Sequence, residues 1–334
     1  MLKKLARSIN EHAILILMLL ICITSGFLFW IQREEANVFI SKPRYHFYLI
    51  AQNSVDPFWK ELRRGLEDAA KEQKVAVEFN APRFNDPEEE RRFLDIAVTS
   101  EVDGIITHVS SDIDFTELIN KAVIKGIPVV TLENDDKDSN RNSFVGTNSF
   151  EIGKAAAELM IKATAGRANI AVIVSNDLNL DTISQNLKMN GFLSTIKDFP
   201  GMKVVKTYTS KMGILSAEEI TQSIVSGNDN INAIFTTSST DTIGSAQLVV
   251  DRNKVGRITI VGYGDTEDIL RYISKDIIYG TVMSDPYRMG YESINALIDI
   301  KEQNNVSTFI DTGVKVITKD NVEEYMQKSA AIAE

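Results

Sequence analysis

From Tyr45 onward, short apolar runs alternate with longer amphipathic stretches, a rhythm that few architectures can accommodate. The runs fall at residues 47–51, 75–79, 104–108, 128–132, 170–175, 204–208, 233–236, 258–262 and 280–283. They are too short for buried helices and apolar at successive positions, so they read as strands covered on both faces. Between them, Phe150, Gly153, Ala157, Met160 and Ile161 recur at the three- and four-residue spacing that makes one apolar stripe on a helix. Strand and helix in alternation imply right-handed crossovers and parallel sheets with helices on both sides. No tandem motif of 20 to 50 residues appears, which excludes a solenoid. About four strand–helix units precede residue 147 and a similar number follow, so the expected fold is α/β, with two doubly wound, Rossmann-like lobes joined by a hinge. In such lobes ligands bind beyond the carboxyl ends of the strands. A length of 334 residues suffices for an anchor and two medium lobes.

The anchor is expected at residues 13–31, an uncharged and mostly apolar stretch. As a helix rising about 1.5 Å per residue it would nearly cross a hydrocarbon core of about 30 Å. Lys3, Lys4 and Arg7 precede it, and Arg33, Glu34 and Glu35 follow. This asymmetry leaves residues 1–12 in the cytoplasm and places the bulk of the chain outside a single-pass membrane helix, after a polar linker at 32–42. Trp30 suits the outer interfacial belt. A cleaved signal peptide would need a small-x-small site after a shorter apolar core, and Thr24-Ser25-Gly26 is a poor version lying inside the run. Lipid attachment at Cys22 would need a small preceding residue, where the chain has Ile21.

Composition narrows the chemistry. A formal net charge of −10 argues against a nucleic-acid partner, which needs concentrated Lys and Arg. Cys22 is the only cysteine, so the body of the chain has no disulfide or thiol chemistry. With three histidines, His12, His46 and His108, triads and metal clusters have few parts; His46 and His108 sit in expected strands and read as structural. No G-x-S-x-G elbow is present. Gly262-Tyr263-Gly264-Asp265 lacks the third glycine of a dinucleotide fingerprint, and Gly146 to Lys154 has the wrong spacing for a P-loop. Glu88-Glu89-Glu90-Arg91-Arg92, after Asp86-Pro87, reads as the exposed first turns of a helix with acids at the positive end of its dipole. No carboxylate pair stands out as a glycosidase's would, so a non-catalytic protein without cofactor or metal is expected, an enzyme being the remote alternative.

Asp56-Pro57-Phe58-Trp59, directly after the first strand, resembles the start of the type I periplasmic sugar-binding proteins of the ribose- and xylose-binding kind. Further landmarks follow in the family's order: Gly126-Ile127-Pro128-Val129-Val130-Thr131-Leu132, Gly146-Thr147-Asn148, Asn190-Gly191-Phe192, Val261-Gly262-Tyr263 and Asp285-Pro286. The resemblance implies three hinge crossings, near Thr147, Ser284 and Asp311. Lobe 1 would comprise 43–147 with 285–308, and lobe 2 would comprise 148–284 with 309–334. Such clefts close around ligand by hinge bending.

The resemblance also implies a ligand set of Asp56, Phe58, Trp59, Glu133, Asn134, Lys188, Ser238, Asp265 and Ser284. Phe58 and Trp59 match aromatics that sandwich a sugar ring. Trp59, Leu62, Leu66 and Ala69 also make a helical stripe, as do Phe58, Leu62 and Gly65, so each ring has a core reading as well as a cleft reading. Glu133 matches an acid and Lys188 an arginine, although Lys188 lacks the arginine fork. Asn134 replaces a base, Ser238 and Ser284 replace larger amides, and Gly264 stands where the family has an acid, with Asp265 one residue later. The resemblance extends to membrane-anchored xylose-sensing proteins partnered with a sensor histidine kinase. It implies capture of a small sugar, a pentose such as xylose first, with lobe closure as the signal. The receptor of an ABC sugar importer, docking on a permease, is the alternative.

Overall fold

The computed structural model describes residues 18–19, 21–27, 43–110, 113–175 and 182–333. The chain divides into two compact units, Met1–Arg44 and Tyr45–Glu334. In the first, residues 21–27 are helical and Cys22 is an exposed free thiol. Among the described residues no helix is long and apolar enough to cross a membrane. The remainder of the expected anchor, apart from residues 18 and 19, lies outside the described residues, as do the expected cytoplasmic segment and linker.

The second unit contains two 6-stranded sheets. The first is made of β1 (His46–Ile50), β2 (Ala76–Asn80), β3 (Gly104–His108), β4 (Val129–Leu132), β5 (Ser143–Gly146) and β11 (Phe309–Asp311). Its order is β11-β5-β4-β3-β1-β2, and every pairing is parallel. The second is made of β6 (Ala168–Ser175), β7 (Met202–Ser210), β8 (Ala233–Thr236), β9 (Thr259–Tyr263), β10 (Gly280–Ser284) and β12 (Val314–Thr318). Its order is β12-β10-β9-β8-β6-β7, with β12 alone antiparallel. Both sheets place their first strand inside and wind outward in two directions, the doubly wound α/β topology.

Helices α1 (Pro57–Gln73), α2 (Pro87–Thr99), α3 (Thr116–Ile124) and α9 (Pro286–Gln303) cover the first sheet. Helices α4 (Ser149–Thr164), α5 (Thr182–Ile196), α6 (Ile214–Ser226), α7 (Ser239–Asp251), α8 (Glu267–Ser274) and α10 (Val322–Ala333) cover the second. The continuous apolar runs now have their cause. In β1, Phe47 and Leu49 face the core beneath α1 and α9, while Tyr48 and Ile50 face the core beneath α2 and α3. Alternate residues of one strand therefore enter different cores, so consecutive positions are apolar. Strand β6 divides in the same way, Ala171 and Ile173 to one side and Ile170 and Val172 to the other.

Each lobe is tightened by one pair of glycines at a helix crossing. A Cβ on Gly65 would overlap the Tyr287 carbonyl, and one on Gly290 the Leu62 carbonyl, so α1 and α9 meet backbone to backbone. In the second lobe Gly153 and Gly191 do the same for α4 and α5, against the carbonyls of Lys188 and Phe150. The stripe expected on α4 is present but rotated: Ile152, Gly153, Ala156, Ala157 and Met160 are buried, and Phe150 and Ile161 lie at its margin.

Three connections join the lobes: β5 to α4 through Thr147, β10 to α9 through Asp285, and β11 to β12 through Thr312-Gly313. Thr147 Oγ1 lies 2.9 Å from Thr312 Oγ1, and Asp311 Oδ1 accepts from Gly313 N at 3.0 Å. Lys315 pairs with Asp285 at 2.8 Å, tying the β10–α9 connection to β12 just beyond the third. Because Phe309–Asp311 pairs with Phe144–Gly146, these residues belong to the first sheet, and the last boundary falls at Thr312 rather than before residue 309. Strands β5, β11 and β12 carry no long apolar run: the first two are short, and β12 alternates at a sheet edge.

Candidate ligand cleft

A parallel strand followed by a helix brings the strand's carboxyl end and the helix's positive amino end to the same side of the sheet. Asp56, Ser238 and Ser284 lie at such ends. Asp56 caps α1, its Oδ1 accepting from Phe58 N at 2.8 Å. Ser238 caps α7 by accepting from Asp241 N at 3.2 Å. Ser284 ends β10 immediately before Asp285, the cap of α9. Asp56 and Ser238 therefore already have structural work, and Asp56 is exposed.

On the first lobe, Asn53 organises the loop after β1, its Oδ1 accepting from Val55 N at 3.2 Å and Asp56 N at 2.8 Å. The adjacent rings of Phe58 and Trp59 meet edge to face, with centroids 5.2 Å apart. Trp59 is 2% exposed and sits in the core with Leu62, Leu66 and Met289. Phe58 is half-buried and keeps an accessible face. Beyond β4, Glu133 takes a left-handed backbone conformation with φ of 65°. A non-glycine residue there costs about 1–3 kcal/mol, a strain that the surrounding structure must hold. The turn directs Asn134 back toward β3, where its Nδ2 lies 3.3 Å from His108 Nε2 and 3.4 Å from the Val109 carbonyl.

On the second lobe, the Gly153–Gly191 crossing fixes α5, and Lys188 on that helix is 5% exposed. Its Nζ lies 4.1 Å from the centre of the Tyr263 ring, a cation–π contact. The Tyr263 hydroxyl is 3.4 Å from Ser284 Oγ. Burial holds the Tyr263 phenol well above its ordinary range, and the Glu133 carboxylate of the opposite lobe raises it further. Asp265 follows Gly264, whose φ of +100° and closeness to Ser239 leave no room for a Cβ. Burial pushes the Asp265 carboxyl above the usual carboxylate range; Lys315 opposes the shift, and Glu61 and Asp56 of the first lobe add to it. Glu133 with Tyr263, and Asp56 and Glu61 with Asp265, are thus within electrostatic reach from opposite lobes.

Three further residues escaped the sequence reading. Tyr263 was visible only as a landmark. Gln185, one helical turn before Lys188, is 3% exposed, and among the described residues its Oε1 has no hydrogen-bond partner. A buried carbonyl oxygen of that kind is costly until something donates to it. Glu90, expected on an exposed helix face, is fully buried, its Oε2 lying 2.7 Å from His108 Nδ1. The run of charges around it conceals one inward position in the first turns of α2. Among the described residues no group of three His, Cys, Asp or Glu side chains is placed to hold a metal.

Two doubly wound lobes are joined by three crossings, and the sequence profile of the periplasmic binding protein domain matches residues 47–305. The chain belongs to that family. Among curated members, the D-allose-binding periplasmic protein of Escherichia coli strain K12 is 25% identical over 260 residues, which is 75% of this chain and 83% of that protein. Among solved members, the XylFII molecule is 36% identical with a TM-score of 0.66, covering 84% of this chain and 99% of its own. The XylFII–LytSN complex matches at 35% identity and a TM-score of 0.68, with the same coverage. A sugar-binding protein of a sugar ABC transporter from Bacillus halodurans is 26% identical with a TM-score of 0.80, covering 84% of this chain and all of that one. These family members are binding proteins, and the chain is a binding protein rather than an enzyme.

Proposed function

We propose that this chain is an extracytoplasmic receptor that captures a monosaccharide, a pentose and first of all xylose, between its two lobes. What supports the reading is the chemistry carried by the two lobes near the expected cleft. Phe58 offers a flat apolar face, and Asn134, Lys188, Asp265 and Ser284 offer hydrogen-bonding groups from opposite lobes. A pyranose needs both, because its C–H faces are apolar and its rim carries hydroxyls. The allose-binding relative supports a monosaccharide, and the XylFII relative supports the pentose choice.

Capture is proposed to act as a signal. Residues 13–31 would hold the receptor on the outer face of the membrane, and closure would present a new surface to the outer domain of a sensor histidine kinase. Support comes from the uncharged apolar stretch and from XylFII, which occurs in complex with a second protein, LytSN. Sugar drives such a switch only as far as it prefers the closed form. The experiment is a thermal-shift panel of pentoses, hexoses and polyols on the purified chain, since a ligand of the folded form raises the melting temperature. A rise with xylose or another pentose supports the reading, and no rise with any sugar ends it.

The second reading, the receptor of an ABC importer, is favoured by the Bacillus halodurans relative. It requires release or lipid attachment at Cys22, so the mass of the mature amino terminus separates the two.

A further inference from the structure

Glu90, His108 and Asn134 form a linear chain from the interior of the first lobe to the cleft. His108 ends β3 and is 2% exposed, and Glu90 lies beneath it with no exposed surface. The Trp59 ring meets the imidazole edge to face at 5.5 Å and holds its plane. Glu90 Oε2 lies 2.7 Å from His108 Nδ1, and among the described residues the other carboxylate oxygen, Oε1, is buried without a partner. In the tautomer whose Nδ1–H donates to the Glu90 carboxylate, Nε2 is the acceptor. The atom of Asn134 facing Nε2 must then donate. The Val109 carbonyl, 3.4 Å from the same Asn134 nitrogen, makes the identical demand. Two acceptors on one side of the amide fix its rotation, leaving Oδ1 outward on a part-exposed residue.

We propose that Glu90 and His108 are a positioning pair that locks the Asn134 amide, so that this edge of the cleft accepts a hydrogen bond from a ligand hydroxyl. The inference rests on the sugar-capture reading for its ligand. It assigns to a buried acid and imidazole the task of turning a position otherwise able to donate or accept into one that only accepts. Ligands lacking a hydroxyl there lose the contact, and an amide free to rotate loses the preorganisation.

The test has two arms, both on the full-length chain. The first needs no ligand: ¹⁵N-histidine labelling and ring-nitrogen shifts at neutral pH, assigned by substituting His12 and His46. The expected result is protonated Nδ1 and unprotonated Nε2 at His108; protonated Nε2 overturns the proposal. The second measures affinity by calorimetry for the tightest of D-xylose, D-ribose, L-arabinose and D-glucose. Glu90→Leu with His108→Phe removes the pair together, so neither partner is left buried alone. This double change is expected to weaken binding about tenfold when Asn134 is present and to have no further effect in an Asn134→Ala background. Equal losses in both backgrounds mean a merely structural role and overturn the proposal. If none of the four sugars binds the unaltered chain, the pentose reading fails, while the ring-nitrogen shifts still decide the lock.

Discussion

Replacing Asp265 by Asn is expected to move stability and binding in opposite directions. The carboxyl is held above its ordinary range by burial first, with Glu61 and Asp56 adding to the shift and Lys315 only partly opposing it. Lys315 is shared, because it also lies 2.8 Å from Asp285. Ionised Asp265 is therefore a charge that the unliganded fold carries at a cost. A carboxyl whose folded value lies above its unfolded one, about 3.9 for Asp, stabilises the fold at low pH. That contribution is lost as pH rises through the raised folded value. Asp265→Asn removes the dependence, so at neutral pH the variant should melt higher than the natural chain, and the difference should vanish below about pH 4. Binding should fall at the same time. A hydrogen bond from a hydroxyl to a charged acceptor contributes about 1.5–3 kcal/mol, so losing it weakens sugar capture roughly 10- to 150-fold. Thermal melts from about pH 3 to pH 8 with a sugar titration at neutral pH supply both numbers. A variant that melts lower at neutral pH and binds unchanged would refute the placement of Asp265 as a desolvated cleft carboxylate.

Other outcomes follow from the packing. Trp59→Ala should cost about 3–5 kcal/mol because the ring is 2% exposed within a core, lowering the melting temperature by roughly 6–20 °C; a shift under 2 °C contradicts the core placement. Gly153→Ala should both destabilise the fold, by about 1–3 kcal/mol, and weaken sugar binding, because its Cβ meets the Lys188 carbonyl and displaces α5; calorimetry and melts check the two together. Lys188→Gln removes the cation over Tyr263 and should lower affinity by about tenfold or more, with little change in the unliganded melt, read by the same titration.

The strands were legible where burial on both faces demanded consecutive apolar residues: the runs at 104–108 and 233–236 coincide with β3 and β8. Strands β5, β11 and β12 were not, since their pairing depends on partners distant in sequence rather than on their own composition. Among the candidate site residues, Lys188 and Asp265 came from motif position, while the burial of Glu90 and Gln185 was invisible. One inward carboxylate among Glu88, Glu89 and Glu90 has no signature until α2 packs on β3. The two aromatics show the converse. Their adjacency announced that they would face differently, and only the packing of α1 against α9 settled that Trp59 is interior and Phe58 accessible.

Calorimetric titration of the purified chain with D-xylose and other monosaccharides, followed by recovery and chemical analysis of the sugar, tests the account most directly. It predicts saturable one-to-one binding of at least one monosaccharide, returned unaltered. Absence of binding by every sugar, or recovery of a converted product, would contradict it.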